Sequence, residues 1–169
     1  RGDHIAVVGY NGAGKSTLLK ALAEKLEPQS GEVEYGHNAF YSYYAQHVAE
    51  ELDHSSDVIS EMTCTAADDV YRQDISDMAG AFLFRGEDVF KKIKFLSGGE
   101  KARVALGKML LRKSPILILD EPSNHMDFQT VEALTQALMH YKGTVIFVSH
   151  DRSFVKRIAK KILEIKDGR

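Results

Sequence analysis

The chain has 169 residues, 44% of them hydrophobic, enough for one sizeable core and short for two ordinary domains. A formal net charge of −2 and a pI of 6.4 give no overall charge argument for a nucleic-acid or anionic-membrane partner. No apolar run approaches the roughly 18 residues of a membrane-spanning helix, and the single Cys64 lacks metal-ligand or redox spacing, which fits a reducing, cytoplasmic setting.

The first predicted element is a strand over His4–Val8 (HIAVV), followed by GYNGAGKST, Gly9 to Thr17, and then by helical spacing from Leu18 to Leu26. The loop fits GxxxxGK[ST] through Gly9, Gly14, Lys15 and Ser16, and its strand-loop-helix setting is the one that motif requires. A phosphate chain is best held by unpaired backbone N–H groups at a helix N-terminus, where the helix dipole also favours negative charge. Gly9, Gly12 and Gly14 permit close backbone approach, with Asn11, Ala13 and Thr17 completing the candidate nucleotide-binding loop. Lys15 supplies a point charge for the outer phosphates, and the Ser16 hydroxyl is a candidate Mg²⁺ ligand. A ligand-free glycine turn is the alternative, and the flanking elements argue against it.

Glu27-Pro28-Gln29-Ser30-Gly31 ends the helix. Val33–Tyr35 and Phe40–Gln46 are β-prone, separated by Gly36-His37-Asn38. From Leu52 to Phe84 the pattern turns helical: Ser56 or Asp57 can cap a short helix through Thr63, and Ala67–Phe84 can form a longer one with Val70, Ile75, Met78 and Phe82 on its apolar side. Charge is uneven here, with nine acids against Arg72 alone over 48–80 (net −8) and nine Lys/Arg against three acids over 85–113 (net +6). A solvated face or a docking surface would each explain such runs.

Arg85–Asp88 breaks the chain before LSGGE, Leu96 to Glu100, and a helix over Lys101–Arg112. Ser97, Gly98 and Gly99 at a helix start present free N–H groups to an anion, while the same residues with Glu100 also make an ordinary capped helix start. Pro115 opens Ile116–Leu119 (ILIL), whose unbroken apolar character suits a strand buried on both faces of a parallel sheet. It ends in Asp120-Glu121, carboxylates at the ligand edge of an open α/β sheet. Asp120 is a candidate Mg²⁺ ligand and Glu121 a candidate base for water; a solvated strand end is the plainer reading. Thr144–Ser149 is a further buried strand, placing His150 at the same edge, within reach of a γ-phosphate or the attacking water.

GYNGAGKST, Gln46 behind a tyrosine-rich strand, LSGGE, ILILDEP and VSHD stand in the order and spacing of the ATP-binding-cassette ATPases, which the chain resembles over essentially its whole length. LSGGE paired with a phosphate loop is the discriminating feature. The resemblance implies an α/β P-loop NTPase core with a mostly parallel sheet, a small antiparallel β part and an inserted helical subdomain. It also implies ATP and Mg²⁺ as ligands. Gln46 corresponds to the residue that links Mg²⁺ to the helical subdomain, and His150 to the switch histidine. Ser97, Gly98, Gly99 and Glu100 form the signature, which contacts the γ-phosphate held by an opposing domain, so two cassettes must meet, within one chain or as a homodimer. Asn124 and Asp127 fall in the D-loop.

Glu121–Asp127 (EPSNHMD) resembles the EPTNHLD run of the ABC-F group, soluble proteins with two nucleotide-binding domains per chain that act at the ribosome; Ser123 and Met126 depart conservatively. Gly80–Asp88 resembles the second domain of bacterial members. The 50 residues between Gln46 and Ser97 leave little room for an arm insertion and none for the long helices of chromosome and repair ATPases. The expectation is one nucleotide-binding domain over 1–169, cut from a longer protein with its N-terminal strands missing, and a helical subdomain at about 50–113. Such a fragment would hydrolyse ATP weakly or not at all alone. Closure of a two-cassette sandwich would serve a translation factor or ribosome-protection protein, with the ATPase subunit of a membrane transporter as alternative. Ribosome or rRNA is the expected partner, without membrane insertion. The basic helix carrying Lys101, Arg103, Lys108, Arg112 and Lys113 could meet rRNA phosphates or simply be solvated. The aromatic that stacks on adenine in the family lies upstream of the loop and is not assigned.

Overall fold

Short runs of β-branched and aromatic residues assemble into one five-stranded sheet in the computed structural model, which describes residues 2–45, 50–124 and 126–166. The strands are β1 (His4–Gly9), β2 (Tyr41–Tyr44), β3 (Ile116–Asp120), β4 (Thr144–Val148) and β5 (Lys161–Ile165), ordered β2-β3-β4-β1-β5. All pairings in this sheet are parallel, with Tyr43 opposite Ile118, Leu117 opposite Val145, Ile5 opposite Ile146 and Val7 opposite Leu163. The helices are α1 (Lys15–Leu22), α2 (Val58–Thr63), α3 (Arg72–Ala81), α4 (Gly98–Leu111), α5 (Phe128–Met139) and α6 (Arg152–Ile158). No helix among the described residues is long and apolar enough to cross a membrane.

The chain forms two compact units, one of Arg1–Ala45, Ser114–Asn124 and Leu138–Arg169, the other of Gln46–Lys113 and His125–Ala137. The first contains the sheet. Val7, Ile118, Val148 and Ile165 from its strands pack with Leu19 and Ala23 into one buried cluster. The strand order sets β1 beside β4 and β4 beside β3, so the C-terminal ends of these three strands lie side by side, where open α/β sheets bind ligands.

The second unit is helical. Its buried side chains include Val58 and Met62 of α2, Ile75 and Ala79 of α3, and Val104, Leu106 and Met109 of α4. Gly107 lets α2 approach α4 closely, since a Cβ there would lie 2.8 Å from Met62 Cε. Asp57 caps α2 by accepting from Ser60 N–H at 2.9 Å, one of the two caps foreseen.

Three expectations are revised. The helix expected over Leu18–Leu26 runs from Lys15 to Leu22, because the Tyr35 and Tyr41 hydroxyls donate to the carbonyls of Leu22 and Ala23 and so satisfy its last turn from outside. The helix expected from Ala67 begins at Arg72: Ala67 N–H is taken by Leu111 O at 3.0 Å, and Asp74 reaches back to Tyr71 N–H at 2.9 Å to start the helix there. Val33–Tyr35 joins no ladder, and Tyr41–Tyr44 pairs in parallel with β3, so the small antiparallel part takes no form within the sheet. A three-residue stretch preceded by Glu32 and centred on Glu34 has little apolar surface to bury, whereas Tyr41–Tyr44 can pair with the buried β3.

Candidate active site

Gly9 ends β1 where a Cβ would lie 2.6 Å from Ile165 O, so only glycine lets the chain turn away from β5 into the loop. Gly12 and Gly14 have φ of +80° and +99°, and added Cβ atoms would meet nothing within 4 Å; the space above the loop is open. Gly14 leads into α1 with no side-chain cap, leaving the first N–H groups of that helix turned toward the same space. Lys15 is buried and its Nζ donates to Gly9 O and Tyr10 O, each at 3.0 Å, so the ammonium lies folded under the loop.

Asp120 closes β3, and its Oδ1 accepts from Ser16 Oγ at 3.0 Å, which brings the two predicted metal ligands together. Glu121 follows with φ +51°, a left-handed conformation unfavourable for a residue with a Cβ. Surrounding bonds hold it there: its N–H donates to Val148 O at 3.0 Å, its carbonyl accepts from Asn124 N–H at 3.2 Å, and its Oε2 accepts from His150 N–H at 3.2 Å. Oε1 is buried with His150 Nε2 3.1 Å away, and no hydrogen bond to it forms among the described residues. The Glu121 side chain is 18% exposed and the His150 side chain 62%, so the imidazole forms the solvent side of the pair.

Asn11, Gly12, Gly14, Lys15, Ser16, Thr17, Glu121, Val148 and His150 line one cavity of about 390 Å³, within the usual range for small-molecule sites. Open space over Gly12 and Gly14 together with a buried ammonium suits a phosphate chain. A Ser16–Asp120 pair suits Mg²⁺, which is commonly held by one or two protein oxygens with water and substrate phosphates. No group of three or more His, Cys, Asp or Glu poised for a metal exists among the described residues.

In the helical unit, Ser97 caps α4: its Oγ accepts from Glu100 N–H at 3.3 Å, while Glu100 accepts from Ser97 N–H at 2.8 Å. This is the reciprocal cap weighed from the sequence, and it points the Glu100 carboxylate at its own helix. The bond from Ser97 N–H holds Glu100 below the ordinary carboxylate range. Asp127 accepts from Thr130 N–H at 3.0 Å and Thr130 Oγ1 at 2.8 Å, bonds that lower its pKa likewise. Arg103 spans the face of Phe84 at 5.4 Å and places Nη1 3.6 Å from Asp127. With Lys108 bound to Glu61 at 2.6 Å and Lys113 to Asp69 at 2.9 Å, three cations of the basic helix are already paired. That favours the structural reading of the helix over a phosphate-binding one.

The phosphate loop, Asp120, Glu121 and His150 thus converge in the sheet unit, whereas Ser97–Glu100 belong to the helical one. Gln46, expected beside the metal, lies outside the described residues. Sequence reading missed Tyr43, whose hydroxyl is buried without a partner among the described residues and whose pKa is raised by burial and then by the charge of Asp120. A tyrosine within a β-prone run carries no signal of that kind.

A parallel sheet with a phosphate loop after β1 and acidic and histidine turns after β3 and β4 defines a P-loop NTPase domain. The family model for ABC transporters matches residues 1–124, and the chain belongs to that family, for which ATP binding and hydrolysis are characteristic. It is 48% identical over 172 residues to the putative ATP-binding protein YdiF of Bacillus subtilis, covering 99% of this chain and 26% of that protein. It is 45% identical over 169 residues to ABC transporter F family member 5 of Arabidopsis thaliana, covering 99% of this chain and 24% of that one. Among solved structures, the archaeal ribosome recycling factor in complex with the ribosomal stalk protein superimposes with a TM-score of 0.81 at 27% identity, covering 99% of this chain and 33% of that one. The chain spans about a quarter of the length of these curated relatives.

Proposed function

We propose that this chain is one cassette of an ABC-F type ATPase whose ATP-driven closure on a second cassette acts at the ribosome in the cytoplasm. The observation that carries the proposal is Glu121 Oε1, a buried carboxylate oxygen 3.1 Å from His150 Nε2 in the cavity that Lys15 and Ser16 also line. The N–H groups from Gly12 to Thr17 take the phosphate chain of ATP, and Lys15 exchanges its two loop carbonyls for phosphate oxygens. Ser16 and Asp120, with Gln46, would hold Mg²⁺, which would supply neutralising charge to the phosphate chain. Glu121 Oε1 accepts a proton from water as the water oxygen bonds to the γ-phosphorus and the bond from the γ-phosphorus to the ADP oxygen breaks. His150 holds the water and the γ-phosphate in line. Ser97, Gly98 and Gly99 act in the opposite site, on the γ-phosphate of the second cassette, with the D-loop residues Asn124 and Asp127 at the seam.

The ribosomal role is supported by the F-family relatives and by the recycling factor, which is bound to a ribosomal stalk protein. In the full-length protein, Glu121→Gln should lower ATP turnover about a hundredfold while leaving ATP affinity unchanged. The same variant should co-sediment with ribosomes only when ATP is present. Turnover at the parent rate would remove Glu121 from its role, and ATP-dependent fractionation with an integral membrane partner would favour a transporter subunit.

A further inference from the structure

Two serines outside the cavity bind the turn carrying Glu121 to the turn carrying His150. Ser123 Oγ and Ser149 Oγ lie 3.3 Å apart, part-buried, and neither residue lines the cavity. Ser149 Oγ also accepts from Asp151 N–H at 3.1 Å, and the Asp151 carboxylate caps α6 through the N–H groups of Ser153 at 2.8 Å and Phe154 at 3.2 Å. A continuous chain of polar contacts therefore runs from the acidic turn, through the two hydroxyls, into the first turn of α6. With Asp151 N–H on one lone pair, Ser149 retains its own proton for Ser123 and a second lone pair to receive one.

Glu121 gives this link its purpose. Its φ of +51° is held by Val148 O and by His150 N–H, both on the turn that carries Ser149. A residue kept in a sparsely populated conformation depends on every contact that opposes relaxation. If the turn moved away from 148–150, Glu121 would lose Val148 O and His150 N–H together, and Oε1 would leave its place beside His150 Nε2. The hydroxyl separation is longer than the usual value of about 2.7 Å for such bonds, as catalytic contacts often are before substrate draws them in.

We infer that Ser123 and Ser149 are positioning residues for hydrolysis, a hydroxyl clamp that holds the Glu121 turn against the His150 turn. The inference rests on the proposed role of Glu121. It is tested in the full-length protein by kcat and KM for ATP and by calorimetric ATP affinity, for Ser123→Ala, Ser149→Ala, their double variant, Ser123→Thr and Glu121→Gln. Each single alanine variant should lower kcat roughly fivefold, the weight of one lost hydrogen bond, with KM and ATP affinity unchanged. The double variant should be no slower than either single one, because both remove one contact. Ser123→Thr should keep the parent rate, and Ser149→Ala should not slow the Glu121→Gln protein further.

Parent kcat in both alanine variants, additive losses, or equal losses of kcat and ATP affinity would overturn the clamp. If Glu121→Gln turned over at the parent rate, the proposed function would fail instead. If it were slow while Ser149→Ala ran normally, only the clamp would.

Discussion

Gly9 stands at the point where backbone geometry and chemistry meet, since the turn into the phosphate loop passes within van der Waals reach of Ile165 O. Gly9→Ala forces a Cβ to 2.6 Å from that carbonyl and should destabilise the protein by about 3 kcal/mol, measurable by urea unfolding against the parent. Tyr43 presents the opposite case. Its hydroxyl is buried without a partner among the described residues, so Tyr43→Phe should raise stability by about 1 kcal/mol and leave the sheet intact; a loss of stability would show that the hydroxyl has a partner. The residue types of the site were legible because each serves a chemistry few others can: a lysine beside glycines, a carboxylate closing an apolar strand, a histidine closing another. The left-handed Glu121 was not, since its conformation depends on Val148 O, far away in sequence.

Helix boundaries separate what local chemistry decides from what distant residues decide. Asp57, Ser97 and Asp151 cap α2, α4 and α6 through N–H groups two or three residues on, which is why the first two starts could be read from sequence. The end of α1 depends on Tyr35 and Tyr41, and Ala67 is held outside α3 by Leu111, contacts that no local pattern announces. The α4 cap also gives a pH dependence. Glu100 titrates below its ordinary range when folded, so its stabilising contribution is complete above the unfolded value and disappears as pH falls through the folded one. Amide-exchange protection at the start of α4 should fall on acidification below about pH 4, and in Glu100→Gln that pH dependence should be absent. In the helical unit, Glu61 is 3% exposed and pairs with Lys108 at 2.6 Å, so Lys108→Met strands a buried carboxylate and should cost about 3 kcal/mol in urea unfolding. Glu61→Leu combined with Lys108→Met should recover most of that loss.

At the scale of the whole molecule, strand order turns separate motifs into a site. Sequence placed the phosphate loop, the acidic turn and the histidine each at a strand end, and the order β3-β4-β1 puts those ends in one row. The motif in the helical unit has no such row to join; in the proposed function it serves the site of a second cassette. In the proposed function the cavity over Gly12 and Gly14 holds ATP through Lys15. Calorimetric titration of the full-length protein with ATP and Mg²⁺ tests it most directly. Lys15→Ala should remove one ATP site per chain relative to the parent, and unchanged stoichiometry with unchanged affinity would contradict the account.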